Sequence, residues 1–282
     1  MSPGARSPVL LLAGAFTLAC LGTSCLGTPT PLAPGLSGSV GWPHHGVQTG
    51  AVELPERGDG FVRYRKQGGY NWGQPELVEA IVTAARQVRE TLPGGPPLVV
   101  GDLSAQSGGR VSRHTSHRSG RDVDLLWYVT TPEGAPLQSA SFVPLGSDGL
   151  GLTPAGRFVR LDVPRQWLLV KSLLGQLDVQ WMFVSDTVEA LLVDYALASA
   201  EDAELIWRAQ NVMQEPPDSL PHDDHLHLRI ACSPAASVQG CAGGGPYWSW
   251  LPAPPGLSGL DELSDPDLAA LSFDDLAVTW LK

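Results

Sequence analysis

Five of the seven histidines fall in two short strings. The first runs Arg113-His114-Thr115-Ser116-His117-Arg118-Ser119-Gly120-Arg121-Asp122-Val123-Asp124, and the second His222-Asp223-Asp224-His225-Leu226-His227. Neutral imidazole is a good ligand for divalent metals, and carboxylates complete such sites, so two dense His/Asp strings point to metal chemistry. Residues two apart on a strand share a face. His225 and His227 would therefore project together with Leu226 buried behind them, and one could bind metal while the other handles a proton. The same alternation pairs Asp122 with Asp124 and turns Val123 and Leu125 inward. Two histidines and one carboxylate leave a fourth position for water, whose pKa zinc brings from 15.7 toward about 7. Asp122 could accept a hydrogen bond from a ligand imidazole or simply be solvated. Ser116 and Arg118 read as loop-shaping residues, and His44 and His45 receive no role. There is no His-Glu-x-x-His helix, Gly-x-Ser-x-Gly elbow or phosphate loop. The cysteines lie outside both strings, which argues against a closed structural zinc site.

The elements that must position these residues are read from periodicity and punctuation. Residues 75–92 open on Pro and place Leu77, Ile81, Ala84, Val88 and Leu92 on one helical face, and Pro93-Gly94 ends the run. Short apolar runs at 98–103, 123–129, 179–184 and 225–230 predict strands. Further helices are expected over 164–174, 187–199 and 201–213, with Asp186 as the N-cap of the middle one. Helices and strands mix without strict alternation, so the fold class is α+β.

The chain has 282 residues, 43% of them hydrophobic, enough to bury a sizeable core. Its net charge of −11, with no Lys/Arg cluster, excludes nucleic acid as a partner. Arg6 followed by the apolar stretch 9–21 reads as an export signal over residues 1–27, with a Pro/Gly/Ser-rich linker over 28–40. Cys20 and Cys25 stand where a lipoprotein carries its lipidated cysteine. Thr17 and Gly22 replace the usual Leu three residues earlier, so membrane attachment through either cysteine is left open. Cys232 and Cys241 would form a disulfide in an oxidising compartment, worth about 2–3 kcal/mol. A domain over 41–250 is followed by an acidic tail, 251–282.

His117-x6-Asp124 with a distant His225-x-His227 resembles the zinc signature of lysostaphin-type peptidases, D-Ala-D-Ala metallopeptidases and hedgehog domains. More narrowly, Gly101-Asp102-Leu103-Ser104, Gly108-Gly109, the string 116–124 and Pro221-His222-Asp223-Asp224-His225-Leu226-His227-Leu228-Arg229 resemble the penicillin-insensitive murein endopeptidases over about residues 41–250. The resemblance implies Zn2+ bound by His117, Asp124 and His227, with His225 handling the proton. It implies that His222 polarises water or the oxyanion, and that His114 borders the site or touches a second metal. It further implies a small central antiparallel sheet with helices and long loops, and periplasmic cleavage of D-alanyl cross-links in peptidoglycan. Without a serine nucleophile, a β-lactam finds nothing to acylate. Other readings are a D,D-carboxypeptidase and a non-catalytic, zinc-containing wall-binding protein. The few cysteines and the acidic tail depart from the family pattern.

Overall fold

A computed structural model describes residues 38–65, 68, 70–216, 220–243 and 245–252. The expected signal segment, Cys20, Cys25 and nearly all of the acidic tail lie outside these residues. The described chain opens on an antiparallel hairpin, Gly38–Trp42 with His45–Thr49, so Gly38, Ser39 and Val40 of the expected linker stand in a strand.

Helix α1, Pro75–Thr91, forms where sequence periodicity places it; Leu77, Ile81, Ala84 and Val88 of its stripe are buried, while Leu92 falls at the C-cap and is half-buried. The other helices among the described residues are α2 (Val163–Gln176), α3 (Asp186–Ala198), α4 (Ala203–Val212) and the short α5 (Pro234–Val238). The cap of α3 differs from expectation: Ser185, not Asp186, accepts the hydrogen bond from the Val188 amide. Its extended backbone turns the hydroxyl back over the first turn, and Asp186 becomes a helical residue that favours the positive end of the dipole.

The main sheet has seven strands: β1 (Arg57–Gly58), β2 (Phe61–Arg63), β3 (Leu98–Val100), β4 (Asp122–Leu126), β5 (Val179–Phe183), β6 (Met213–Gln214) and β7 (His225–Ile230). Their spatial order is β6-β5-β7-β4-β3-β2-β1. The α+β class is as expected, and the central strands β5, β7, β4 and β3 are antiparallel. The sheet as a whole is mixed, because β2 runs parallel to β3 and β6 parallel to β5. The expected strand 123–129 divides: β4 ends at Leu126, and Val129–Thr130 joins a separate four-stranded sheet.

The pairing register assigns the two faces of the sheet. His225 lies opposite Leu126, His227 opposite Asp124 and Phe183, and Arg229 opposite Asp122 and Trp181. Those side chains share one face. Leu226, Leu228, Val123, Leu125 and Met182 occupy the other and join the core with α1 and α2. Cys232 and Cys241 form the expected disulfide, closing a loop just after β7. No helix among the described residues is long and apolar enough to cross a membrane.

Candidate metal centre

The centre is built on β4 and β7 and completed by two connections. Residues 101–121, between β3 and β4, carry His114 and His117. That connection is pinned from outside: the Gly109 amide donates to the carbonyls of Gly46 and Arg118, and the Arg118 amide to that of Pro43. Gly108 has φ +71, and a Cβ there would meet the Arg118 carbonyl oxygen at 2.3 Å, so a larger residue would open the turn. His117 itself sits at φ 63, a region histidine tolerates better than most residues, and is fully buried. The second connection, leading into β7, is held at both sides. The His222 carbonyl accepts from the Ser185 amide, and the Asp223 carbonyl from the Leu145 amide and the Trp127 indole.

Three imidazoles converge on one carboxylate oxygen. His117 Nε2, His225 Nε2 and His227 Nδ1 stand 3.2, 3.3 and 3.4 Å from Asp124 Oδ1. In each ring the other nitrogen is engaged elsewhere. His117 Nδ1 donates to the Leu103 carbonyl at 3.0 Å, His227 Nε2 to Asp122 Oδ1 at 2.8 Å, and His225 Nδ1 to Asp224 Oδ1 at 2.5 Å. In a neutral ring the nitrogen that donates leaves its partner with a free lone pair, so the three nitrogens facing Asp124 are ligand atoms whenever their rings are neutral. Both Asp124 oxygens and His117 Nε2 are buried without a hydrogen bond. Such a set needs positive charge among it, as protons or as a metal cation, and metal-binding histidines are held by just such outer hydrogen bonds. The residues therefore fit a divalent metal. His114, His117 and Asp124 offer ligand atoms within 4.8 Å of one another, and so do His222, His225 and His227.

Charge follows the same arrangement. Burial would push the Asp124 carboxyl up, but His117 and His225 hold it well below the usual carboxylate range. Burial would lower His225, yet Asp124 and then Asp224 raise it to about 10, and Asp124 likewise raises His117. Burial keeps His227 neutral, down to about 3, and His222 at about 4 with the help of the His225 charge.

All six residues singled out from the sequence thus meet in one place. His222 is half-buried, its ring 5.2 Å from that of His225 and 5.6 Å from that of His227. His114 Nε2 lies 3.6 Å from Asp124 Oδ2 and 3.1 Å from Asp102 Oδ2. Of the two options for Asp122, hydrogen bonding to an imidazole holds, and Arg229 Nε donates to the same oxygen at 2.7 Å. His44 and His45 are exposed at the hairpin turn. Sequence reasoning gave no role to Asp102, Asp224, Arg229 or the Leu103 carbonyl. The Gly101-Asp102-Leu103-Ser104 string contained two of these, but only the folded loop brings them to the histidines. A cavity of about 310 Å³ between the start of α1 and the disulfide loop contains none of the histidines.

The model of the penicillin-insensitive murein endopeptidase family matches residues 39–246. A protein of that name from Escherichia coli O1:K1 is 28% identical, over 93% of this chain and 94% of its own length. One from Haemophilus influenzae is 25% identical, over 82% of this chain and 79% of its own. A match across the whole described sheet, together with a His/Asp cluster built on its two central strands, leads to one conclusion: the chain belongs to the penicillin-insensitive murein endopeptidase family and is a peptidoglycan hydrolase.

Proposed function

We propose that this hydrolase is a zinc-dependent endopeptidase of D-alanyl cross-links, exported by residues 1–27 and acting in the periplasm. The observation that carries the reading is the convergence of His117 Nε2 and His227 Nδ1 on Asp124, with both outer nitrogens already engaged. These three residues would hold the ion through two imidazole nitrogens and one carboxylate, the donor set of catalytic zinc. When bound, zinc supplies a Lewis acid and an acidified water. His225, aligned by Asp224, takes up and returns the proton at Nε2. His222 stays neutral and offers a donor to the developing oxyanion. His114, held by Asp102, borders the second oxygen of Asp124.

The test is a muropeptide digest with wild type, His117→Ala and chelator-treated protein, alongside metal analysis. Wild type should carry about one zinc per chain and remove cross-linked dimers. The other two should lose the metal and the activity. His225→Ala should keep the metal while turnover falls roughly 10²–10⁴-fold. Equal activity in wild type, His117→Ala and chelated protein would overturn the zinc reading, and release of free D-alanine in place of dimer loss would identify a carboxypeptidase.

A further inference from the structure

Two arginines beside the centre carry more positive charge than their surroundings neutralise. Arg113 donates to Asp102 Oδ2 through Nε and Nη2, at 3.2 and 2.9 Å. Arg65 Nη1 stands 3.5 Å from the same oxygen, which His114 Nε2 also contacts. One carboxylate thus serves two guanidiniums and an imidazole. Neither arginine pairs with a second acid among the described residues. Asp102 is sheltered, with 12% of its side chain exposed, whereas Arg65 and Arg113 are 39% and 42% exposed.

Each guanidinium lies over an aromatic ring, and the ring under Arg65 connects onward to the catalytic groups. Arg113 lies over Tyr70 at 5.3 Å and Arg65 over Tyr64 at 5.7 Å. Tyr64 meets Phe142 edge-on at 5.2 Å, and Phe142 meets the His225 ring at 5.2 Å. From Asp102 a second path leads through His114 to Asp124 Oδ2. The pair therefore stands beside the site, held by Asp102 and by two rings, with both side chains still partly open to solvent. In a chain of net charge −11, surplus guanidinium charge at this spot calls for an anionic group on the substrate.

We propose that Arg65 and Arg113 bind the substrate carboxylate on the carbon attached to the scissile amide nitrogen. This rests on the hydrolysis reading above and names which side of the bond is recognised. Where a cross-link is made through the α-amino group of an amino acid, the carbon bearing the cross-linking nitrogen also bears a carboxylate. The terminal D-alanine of an uncross-linked stem has its carboxylate at the same place. Planar guanidiniums suit such a group because their forked N–H donors match its two oxygens. The two arginines determine specificity and orient the departing half of the bond; they move no proton.

The test measures binding without turnover. Chelator-treated full-length protein is titrated calorimetrically with a soluble cross-linked muropeptide dimer whose carboxylate at that carbon is free, and with the same dimer amidated there. Wild type should bind the free acid about ten- to a hundred-fold more tightly, the range of a charge-assisted contact. The double variant Arg65→Gln, Arg113→Gln should lose that preference while its affinity for the amidated dimer changes by less than about two-fold. In metal-loaded protein the same double variant should raise KM for the free acid more than it lowers kcat. Equal affinity of wild type for both dimers overturns the proposal. So does a double variant that weakens both dimers by one factor, since the arginines would then serve only to hold Asp102 and His114. A wild type that binds with the preference but cuts neither dimer overturns the reaction and leaves carboxylate recognition standing.

Discussion

Asp122 and Asp124 sit two residues apart on β4, one between His227 and Arg229 and the other facing three imidazole nitrogens. Burial pushes the Asp122 carboxyl up, but Arg229 and His227 more than reverse that, so it stays ionised. Asp122→Asn would leave the Arg229 guanidinium, 10% exposed, without its carboxylate. Breaking such a buried pair costs about 3–5 kcal/mol. It would also loosen the His227 ring, and an outer partner of this kind is worth about 10–100-fold in metal affinity. Denaturant unfolding of the chelated protein should read the first effect, and competition against a chelator the second. Unchanged zinc affinity would remove Asp122 from the support of the centre. The sequence made Asp122 a candidate through strand alternation but left its partner open, because that partner lies 105 positions away. Asp102 passed without a role because its partners come from a loop whose shape the sequence does not show, and Asp224 because strand alternation turns neighbouring side chains to opposite faces and so hides its contact with the adjacent His225.

At the scale of elements, β7 shows what alternation alone can and cannot specify. Its period of two correctly sends His225 and His227 to one face and Leu226 to the other. It says nothing about which strands lie beside it, and the parallel edge pairs that make the sheet mixed depend on contacts distant in sequence. The α1 helix was legible nearly to the residue because its punctuation is local, Pro at the start and Pro-Gly beyond the end. The connection 101–121 was not, since its shape depends on carbonyls of the hairpin more than fifty residues earlier. The division of labour across β7 gives a prediction. Leu226 is fully buried on the core face, so Leu226→Ala should destabilise the protein by about 2–5 kcal/mol through the cavity it leaves. Zinc stoichiometry in the surviving folded fraction should be unchanged, as read by denaturant unfolding and metal analysis. A variant that folds with wild-type stability but loses zinc would mean that the two faces are not separate.

For the molecule as a whole, the cluster makes stability depend on pH in a way that metal should alter. The four histidines start from an ordinary value of 6.5 and divide into two pairs. Burial first, opposed by Asp122, brings His227 to about 3; burial and then the His225 charge bring His222 to about 4. These two are neutral in the fold, so the unfolded chain takes up protons first as pH falls below 6.5, and stability drops through that range. Asp124 and Asp224 overcome the burial of His225 and raise it to about 10, and Asp124 raises His117 as well. For these the folded chain holds the proton longer, so their contribution is complete below 6.5 and is lost as pH rises toward about 10. Chelated protein should therefore show a melting temperature that peaks near pH 6.5 and declines on both sides. In the zinc reading proposed above, a divalent cation would take the place of the protons gathered around Asp124. Zinc should thus flatten the alkaline limb, raise the melting temperature more at pH 8 than at pH 6, and release protons on binding. Scanning calorimetry across pH 4–9, with chelator and with excess zinc, decides it: a melting temperature of the chelated protein that climbs steadily to pH 9 would show that Asp124 does not hold protons on these rings.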